Sequence, residues 1–440
     1  MLLNFRFKNF KTFKDETVFS MIPAPKIKDI EYSLLKTKIG SKEYKGLSSA
    51  VIYGPNASGK TNIISAIEVF KSIVLKGNIG NGDYVFETAN EATRKLELIP
   101  NLFSNSEIPE PVEFEIKFVE NGFVYQYSLK VDLGRFLDSN YDRKILGESL
   151  YVNDKMIFER NDGLSLGNVP EIYELLIAEF DYDLSKKIAQ SNLDKKELFL
   201  TGLFKSLYSA KIANNILGWF RNKCIVFYRS NLMITSPNID KTGNNQVFVN
   251  ESLNQAIKHF GIHGNDIGYI KSRNNNDLIP YSILPDGKAV AVDIFESYGT
   301  ERFLNIFPIV VSALQNGETL IVDEFDASLH PMALMSIIGC FHNDEINKNG
   351  AQLIFNTHNP IFLNRNLFRR DEIKFVDRDD ETGVSTHYSL SDFGTTGPNG
   401  VRNTEDYMRN YFVNRYGAIR TIDFSEILQE QMGGFADEAD

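Results

Sequence analysis

The sequence predicts an α/β fold in which a phosphate-binding loop follows a buried strand, with an inserted antiparallel β lobe and a helical subdomain. Three observations support this prediction. An apolar run at residues 50–53 leads into the glycine-rich segment 54–61, and helical apolar spacing follows over residues 62–75. Two later apolar runs, residues 319–324 and 352–356, end in carboxylates or polar side chains. Alternating apolar residues between the loop and these runs indicate the inserted lobe.

The glycine-rich segment fits the pattern G-x-x-x-x-G-K-[ST] of a phosphate-binding loop. A strand that feeds such a loop and opens a helix points backbone N–H groups and a helix N-terminus at one place. Lys60 is expected to reach the β- and γ-phosphates of a nucleoside triphosphate, and the Thr61 hydroxyl to bind Mg²⁺. The predicted nucleotide-binding residues of this segment are Gly54, Pro55, Asn56, Ala57, Ser58, Gly59, Lys60, Thr61 and Asn62.

The composition indicates an ordinary globular protein of a reducing compartment. The chain has 440 residues, a net charge of −11 and a pI near 5.2, which argues against a globally basic nucleic-acid binder, although a local basic groove is compatible with it. No apolar run forms a signal peptide or approaches the ~18 residues of a membrane helix. Cys224 and Cys340 lie far apart without metal-type spacing. We therefore expect a cytoplasmic protein that does not contact membranes.

The first half of the chain contains several hairpin signals. Residues 2–20 predict two strands around a turn, which we expect beside the phosphate-loop strand. Residues 77–111 are rich in Gly, Asn, Glu and Pro and indicate a loop. The runs 112–119 and 123–131 flank Asn121-Gly122, a strong hairpin turn. Two more strands are expected on either side of Asn153-Asp154.

Apolar spacing changes to a helical period over residues 170–221, which predicts either a partner-binding arm or a helical layer that covers the sheet. Residues 225–228 then indicate a buried strand. A loop is expected over residues 236–248 and an exposed turn at 274–277. No long heptad repeat is present, which argues against an extended coiled coil.

The strand at residues 319–324 ends in two acids and resembles a Walker B strand. Asp323 is predicted to hold the Mg²⁺ shell, and Glu324 to orient and deprotonate the attacking water. The later strand, 352–356, delivers Thr357 and His358 to the edge of the sheet where ligands bind in such folds. His358 is therefore predicted to contact the γ-phosphate or the attacking water. The alternative for His358 is a purely structural role.

The order of these motifs resembles that of the ABC-type ATPases of the SMC, RecF and OLD (overcoming lysogenisation defect) nuclease group. That order is the phosphate loop, inserted β lobe, helical segment, Glu-Ser-x-Gly-Thr at 296–300, Walker B, Asp-x-Ser-Leu-His-Pro at 326–331, and Thr-His. The likeness covers nearly the whole chain, including residues 363–375, 388–393 and 415–418. It is nearest to bacterial abortive-infection ATPases such as the ATPase subunit of the anti-phage system PARIS.

In that group two ATPase heads sandwich ATP, so the resemblance implies a homodimer or a higher homo-oligomer with ATP and Mg²⁺ as cofactors. The phosphate loop of one head would meet the signature segment of the other. In this chain the signature segment supplies Ser297, Gly299 and Thr300, and Asp326 and Ser328 would lie near the seam.

The same resemblance divides the chain into three parts. Residues 1–160 would hold the phosphate loop and the β lobe, 161–290 a helical or inserted subdomain, and 291–440 the signature, Walker B, D-loop, H-switch and C-terminal tail. The Q-loop glutamine of the group has two candidates, Gln126 and Gln190.

The resemblance implies an ATPase that acts as a sensor or scaffold in phage defence. Its expected partners are a phage-derived trigger and a toxin or nuclease effector encoded nearby. One alternative is a DNA-repair head of the RecF or SMC type, which the acidic charge and missing coiled coil disfavour. Another is an OLD-like nuclease, for which Asp377 and Asp379 form an Asp-x-Asp pair. We expect the ~80 residues after His358 to be too few for its separate nuclease domain.

Overall fold

A computed structural model describes residues 1–25, 27, 30–80, 98–101, 103, 109–134, 142–177, 181–228, 247–249, 251–259, 265–271, 278–397, 400–420 and 423–433. Within those ranges, no helix has the length and apolar character needed to cross a membrane. The expected loop at 77–111 and the loop at 236–248 lie largely outside the described residues, and the turn at 274–277 lies wholly outside them.

The described strands form four sheets. In chain order the strands are β1 (Leu2–Lys8), β2 (Thr17–Ser20), β3 (Leu34–Ile39), β4 (Lys42–Leu47), β5 (Ser49–Tyr53), β6 (Val112–Glu120), β7 (Phe123–Asp132), β8 (Lys144–Val152), β9 (Lys155–Arg160), β10 (Leu164–Leu166), β11 (Cys224–Phe227), β12 (Val247–Val249), β13 (Asp266–Lys271), β14 (Leu278–Ile283), β15 (Ala289–Ala291), β16 (Thr319–Val322), β17 (Gln352–Asn356), β18 (Ile373–Arg378) and β19 (Ser385–Ser389).

The helices cover the sheets and connect them. They are α1 (Lys60–Lys76), α2 (Tyr182–Ser191), α3 (Lys205–Leu207), α4 (Ala210–Asn222), α5 (Glu251–His259), α6 (Val292–Phe295), α7 (Tyr298–Asn316), α8 (Pro331–His342), α9 (Tyr407–Phe412) and α10 (Ser425–Gly433). Shorter 3-10 and π turns join several of them, including the segments Pro170–Leu175 and Leu200–Phe204.

A six-stranded sheet with the order β11-β16-β17-β5-β18-β19 positions the phosphate loop. Its first five strands are parallel, and β19 is antiparallel to β18. Residues of β5 alternate between two hydrophobic cores, with Ala50 and Ile52 in one and Val51 and Tyr53 in the other. Burial on both faces explains the continuous apolar run of this strand. The carboxyl ends of the parallel strands meet at one edge, beside the loop.

A seven-stranded antiparallel sheet with the order β10-β9-β8-β7-β6-β1-β2 forms the expected lobe. Asn121 and Gly122 both have positive φ, at 48° and 79°, as the predicted hairpin turn between β6 and β7 requires. The turn at Asn153 and Asp154 is confirmed in the same way. The placement of the N-terminal hairpin was wrong. Its strand β1 pairs with β6 instead of β5, because its alternating pattern suits an antiparallel sheet with one exposed face.

Helices α1 and α4 pack between the two large sheets. The ring of Phe70 on α1 lies 5.4 Å from Phe114 of the lobe and 5.7 Å from Phe220 on α4. Trp219 stacks on Phe118 at 4.2 Å between ring centroids. The described helices within residues 170–221 therefore form a layer against the lobe. Of the two predictions for this segment, this agrees with the covering layer and not with the partner-binding arm.

A four-stranded antiparallel sheet, β12-β13-β14-β15, lies between β11 and α7 in the sequence and was not predicted. Two of its strands are only three residues long. Helix α5 packs beside it through Leu253 and Ile257, which join the core on the α7 side of the parallel sheet.

Candidate active site

The phosphate loop is shaped by two close approaches that leave no room for a side chain. A Cβ atom on Gly54 would lie 2.2 Å from the carbonyl oxygen of Val376 on β18. Gly59, with φ 113°, would place a Cβ 2.8 Å from the Ser385 hydroxyl on β19. The β18–β19 hairpin therefore packs directly against the loop, and Ser385 also donates a hydrogen bond to the Ser58 carbonyl.

Lys60 lies at the start of α1 and is buried. Its ammonium group donates to the carbonyl oxygens of Gly54 and Pro55, at 2.7 and 2.8 Å. Burial lowers the pKa of Lys60 to about 8, while the Asp323 and Glu324 carboxylates partly oppose that shift. A cation held within the loop in this way suits an anionic phosphate chain, which would supply the missing counter-charge.

Two hard oxygen donors meet beside the loop. The Thr61 hydroxyl donates to Asp323 Oδ1 at 3.0 Å, and Asp323 is only 3% exposed. A hydroxyl and a carboxylate are ligands that Mg²⁺ accepts together with phosphate oxygens and water. Among the residues that the structure describes, the buried Ser58 hydroxyl has no hydrogen-bond partner, as expected for a group that would face a phosphate. The residues present therefore fit a nucleotide with Mg²⁺, which Thr61 and Asp323 would hold.

Glu324 follows Asp323 and turns its side chain outward. Its backbone is in the left-handed region with φ 50°, which is strained for a residue with a side chain. Both of its peptide groups are held: the Glu324 N–H donates to Asn356 Oδ1, and the Glu324 carbonyl accepts from Arg302 at 3.2 Å. The carboxylate is thus exposed while its backbone is fixed.

The loop after Glu324 contacts the end of β17. The Thr357 hydroxyl donates to Asp326 Oδ2 at 2.6 Å, and burial raises the pKa of Asp326 despite that bond. The His358 side chain is exposed at the same edge. Desolvation and the nearby Lys60 charge lower the pKa of His358, so the imidazole is neutral at pH 7. The Tyr53 hydroxyl donates to the Asn359 carbonyl at 3.3 Å and links this loop to β5.

The signature segment begins helix α7. Ser297 caps the helix, because its hydroxyl accepts from the Thr300 backbone N–H at 3.2 Å. Thr300 is buried, with its hydroxyl 2.9 Å from the Ser297 hydroxyl, whereas Ser297 is exposed. A Cβ on Gly299 would lie 2.8 Å from the carbonyl oxygen of Ser328 in the same chain. The signature segment and the 326–328 loop therefore form one continuous surface.

The structure brings most of the predicted site residues together. The phosphate loop, Asp323, Glu324, Asp326 and His358 line the carboxyl edge of the parallel sheet. In the described part of the chain, no hydrogen bond joins residues 297–300 to residues 54–62. The Thr300 hydroxyl is turned toward its own helix cap, so Ser297 and Tyr298 are the exposed hydroxyl-bearing residues of the segment.

Five further hydrogen bonds at the site were not predicted from the sequence. Asn356 reaches Asp323, Glu324 and Thr61. The turn after β1 approaches α1, where Asn62 donates to the Thr12 hydroxyl at 2.9 Å and Lys11 donates to the Ser65 hydroxyl at 2.7 Å. Asn356 ends the apolar strand β17, and Asn62 follows the phosphate loop, but only their spatial neighbours reveal these contacts.

The two Q-loop candidates lie in other elements. Gln126, in the middle of β7, donates to Glu115 across the antiparallel sheet at 3.0 Å. Gln190 lies on α2, where its amide would be 3.6 Å from a Cβ on Gly163. Both therefore belong to the lobe and its flanking helix rather than to the carboxyl edge of the parallel sheet.

The Asp-x-Asp pair forms part of the β18–β19 hairpin. Asp379 accepts from the Thr382 N–H and hydroxyl, both at 2.7 Å, and so closes the turn. Asp377 accepts from the Arg378 N–H at 2.9 Å. Among the described residues, no group of three or more His, Cys, Asp or Glu side chains could hold a metal ion. These contacts give the pair a structural role in the hairpin.

Comparison with known proteins places the chain among AAA domains. Residues 49–364 match the family described as "AAA domain, putative AbiEii toxin, Type IV TA system". A comparison with curated proteins gives no match.

Three solved structures show a distant likeness. An SMC head bound to the C-winged helix domain of ScpA is 17% identical, covers 88% of this chain and 97% of that chain, and has a TM-score of 0.41. The SMC head domain from Thermotoga maritima is 15% identical over 88% and 98% of the two chains, with a TM-score of 0.36. An Smc head with an extended coiled coil, bound to the C-terminal domain of ScpA derived from Pyrococcus furiosus, is 15% identical over 88% and 96%, with a TM-score of 0.40.

The family match spans the phosphate loop, Walker B strand and His358, the same residues that meet at the sheet edge. The fold is an α/β P-loop fold, and the chain belongs to the AAA domain family of the AbiEii type.

Proposed function

We propose that this protein binds ATP with Mg²⁺ and hydrolyses it to ADP and phosphate. The observation that supports this best is the arrangement at the sheet edge. Lys60 and Thr61 at the start of α1 meet Asp323 and the outward carboxylate of Glu324 at the end of β16. Each is the residue type that phosphoryl transfer to water requires at its place.

The chain's own residues divide the chemistry among them. The loop N–H groups and Lys60 would bind and orient the phosphates, and Mg²⁺, when bound, would neutralise phosphate charge. Glu324 would accept the proton of the attacking water, because its carboxylate is exposed and its backbone is fixed. The neutral His358 would hydrogen-bond the water or the γ-phosphate oxygens.

The ATP would lie between two copies of the chain, in a homodimer or a higher homo-oligomer. Ser297 is exposed, and the 326–328 loop beside it contributes exposed Ser328. Neither bonds the phosphate loop of its own chain in the described residues. A second copy would bring its phosphate loop to that surface and complete the site.

In the cell, we propose that the protein is a sensor or scaffold of an abortive-infection system that responds to a phage-derived trigger. The family description, which refers to a Type IV toxin–antitoxin system, supports this setting. The protein would act on a separately encoded toxin or nuclease. The structural role of Asp377 and Asp379 agrees with effector chemistry that lies in another chain.

Two variants test the hydrolytic proposal. Lys60→Ala should abolish tight ATP binding, because it removes the cation in the loop. Glu324→Gln should bind ATP normally but hydrolyse it at least about 100-fold more slowly, since Glu324 acts on water and not on ground-state phosphate. Equilibrium nucleotide binding and steady-state ATPase rates on both variants distinguish these effects.

Normal turnover by the Glu324 variant would remove that residue from catalysis, and no turnover by the wild-type protein would refute the ATPase proposal. The same two variants, expressed with the neighbouring gene in phage-challenged cells, test the defence role. Both should lose protection. Full protection by both variants would show that the protein's role in the cell does not depend on ATP hydrolysis.

A further inference from the structure

We propose that Asn356 is the positioning residue that couples the metal-binding and water-activating halves of the site. Asn356 is the last residue of β17 and is 1% exposed. Its side-chain nitrogen donates to Asp323 Oδ1 at 2.6 Å and to the Thr61 hydroxyl at 3.5 Å. Its side-chain oxygen accepts from the Glu324 backbone N–H. This inference rests on the proposed ATPase function and extends it.

The orientation of the amide is set by its neighbours. The Glu324 N–H can only donate, so the oxygen of Asn356 must face it, and the nitrogen must then face Asp323 and Thr61. A side chain of this size that donates on one side and accepts on the other is an amide. Asp could only accept, Leu could do neither, and Ser or Thr would be shorter.

The hydrogen bond to Glu324 has a specific task. Glu324 has a left-handed backbone, with φ 50°, and the bond to Asn356 holds it from the N–H side while Arg302 holds the carbonyl. Strained conformations of this kind persist only where surrounding contacts fix them. Release of the N–H would let residues 324–326 relax and move the carboxylate from its outward position.

The same side chain connects the site to the sheet and to His358. Asn356 belongs to β17, which pairs with the Walker B strand β16 on one side and with β5 on the other. His358 lies two residues further along the chain. One buried amide therefore fixes Asp323 and Glu324 relative to the strand that delivers His358.

Asn356→Leu, which keeps the branching and the number of side-chain heavy atoms but has no polar group, tests the inference. We expect kcat to fall by about 10- to 100-fold, the range for residues that orient a metal site or its ligands. The Kd for ATP should change by less than about threefold, because the loop and Lys60 remain. Hydrogen exchange in nucleotide-free protein should become faster in peptides that contain Glu324, since its amide loses its acceptor.

Asn347→Leu is a matched control. Asn347 is also buried, and its side chain bridges the Phe341 carbonyl, the Ala351 carbonyl and the Ala351 N–H at the opposite end of β17. Its replacement should lower the melting temperature without changing kcat below that temperature or the exchange at Glu324. An equal loss of kcat in both variants would mean that general stability explains the effect and would overturn the inference.

Asn356→Asp serves if the Leu variant does not fold. Its carboxylate can still accept from the Glu324 N–H but cannot donate to Asp323, so exchange at Glu324 should stay slow while kcat falls. Unchanged kcat in either variant, or ATP affinity that falls in parallel with kcat, refutes the coupling role. The exchange measurement needs no ATP. If the wild-type protein has no ATPase activity, the proposed function is refuted, but the exchange at Glu324 still tests whether Asn356 fixes the Glu324 backbone.

Discussion

Lys60 is a buried cation whose main contacts in the protein are two neutral carbonyl groups. Burial lowers the pKa of Lys60 to about 8, well below the 10.5 of a free lysine, even though two carboxylates lie near enough to oppose the shift. A bound phosphate chain would restore the stability of the charged form. Nucleotide binding and protonation of Lys60 are therefore linked.

This linkage predicts a pH dependence of ATP binding. Affinity should fall as pH rises through about 8, because a growing share of the free protein must then take up a proton in order to bind. Below pH 7 the affinity should be nearly independent of this group. Titration calorimetry at pH 8.5 in buffers of different ionisation enthalpy should detect net proton uptake.

Lys60→Arg provides the control, because arginine keeps its charge throughout this pH range. Its ATP affinity should be weaker, since a planar guanidinium replaces the ammonium group that donates to the Gly54 and Pro55 carbonyl oxygens. That affinity should not change between pH 7.5 and 9. An equally steep decline in the Arg variant would show that another group titrates.

Helix α7 joins the signature segment to the Walker B strand and has a capping residue at each end. Ser297 caps its start, and Gly317 ends it with φ 63°. A Cβ on Gly317 would lie 2.3 Å from the Asn349 carbonyl oxygen, so the helix end and the loop before β17 are in direct backbone contact. Glu318 and Thr319 then lead directly into β16.

We predict that Gly317→Ala costs about 2 kcal/mol or more, because a left-handed Ala is strained and its Cβ would also collide with backbone. Gly122→Ala is the comparison. Gly122 has φ 79°, but a Cβ there meets nothing within 4 Å, so only the conformational cost of about 1 kcal/mol applies. The melting temperature should fall further in Gly317→Ala than in Gly122→Ala. An equal fall in both variants would show that the contact between a Cβ at position 317 and the Asn349 carbonyl adds no cost.

Elements with a strong local signal were predictable from the sequence. The apolar strand β5, the Asn121-Gly122 turn and the strand β17 have the residue types that these structures need at those positions. The sheet β12–β15 was missed because two of its strands are only three residues long. The pairing of β1 was missed because a strand's pattern does not identify its neighbour.

The site was predictable to a similar degree. Lys60 belongs to the phosphate-loop pattern, and Asp323 and Glu324 end the Walker B strand. In both motifs the residue types and their spacing are recognisable in the sequence because the chemistry requires them. Asn356 has no such motif, since its importance arises from contacts with residues that are 32 to 295 positions away in the sequence. Ser385 of the β18–β19 hairpin is similar, because it lies 327 positions from the loop carbonyl that it contacts.

At the scale of the whole molecule, the proposed shared site predicts complementation between defective subunits. Gly299 is unsuitable for this test, because any side chain there would collide with Ser328 of its own chain. Ser297→Asp is better: Asp is as good a helix cap as Ser, yet its charge would repel a phosphate from a second copy. Alone, this variant should bind ATP through Lys60 but hydrolyse it slowly.

A mixed dimer of Lys60→Ala and Ser297→Asp subunits keeps one site with a normal loop and a normal signature segment. Co-expressed and purified through two different tags, it should regain up to about half of the wild-type turnover, since one of two sites is intact. Ser297→Asn, a neutral cap, should stay close to wild type on its own. A verified mixed dimer with no more activity than either parent would contradict the shared site.

The central strand of the molecule has a consequence for how the protein is made. Ser49 of β5 pairs with Leu353 of β17, and Val51 pairs with Ile373 of β18, so both partner strands are translated about 300 residues later. A ribosome therefore releases an apolar strand with two open edges long before anything can cover it. The antiparallel lobe can fold during this interval, but the nucleotide site cannot. Nascent chains that stop before residue 378 should then aggregate or depend on chaperones.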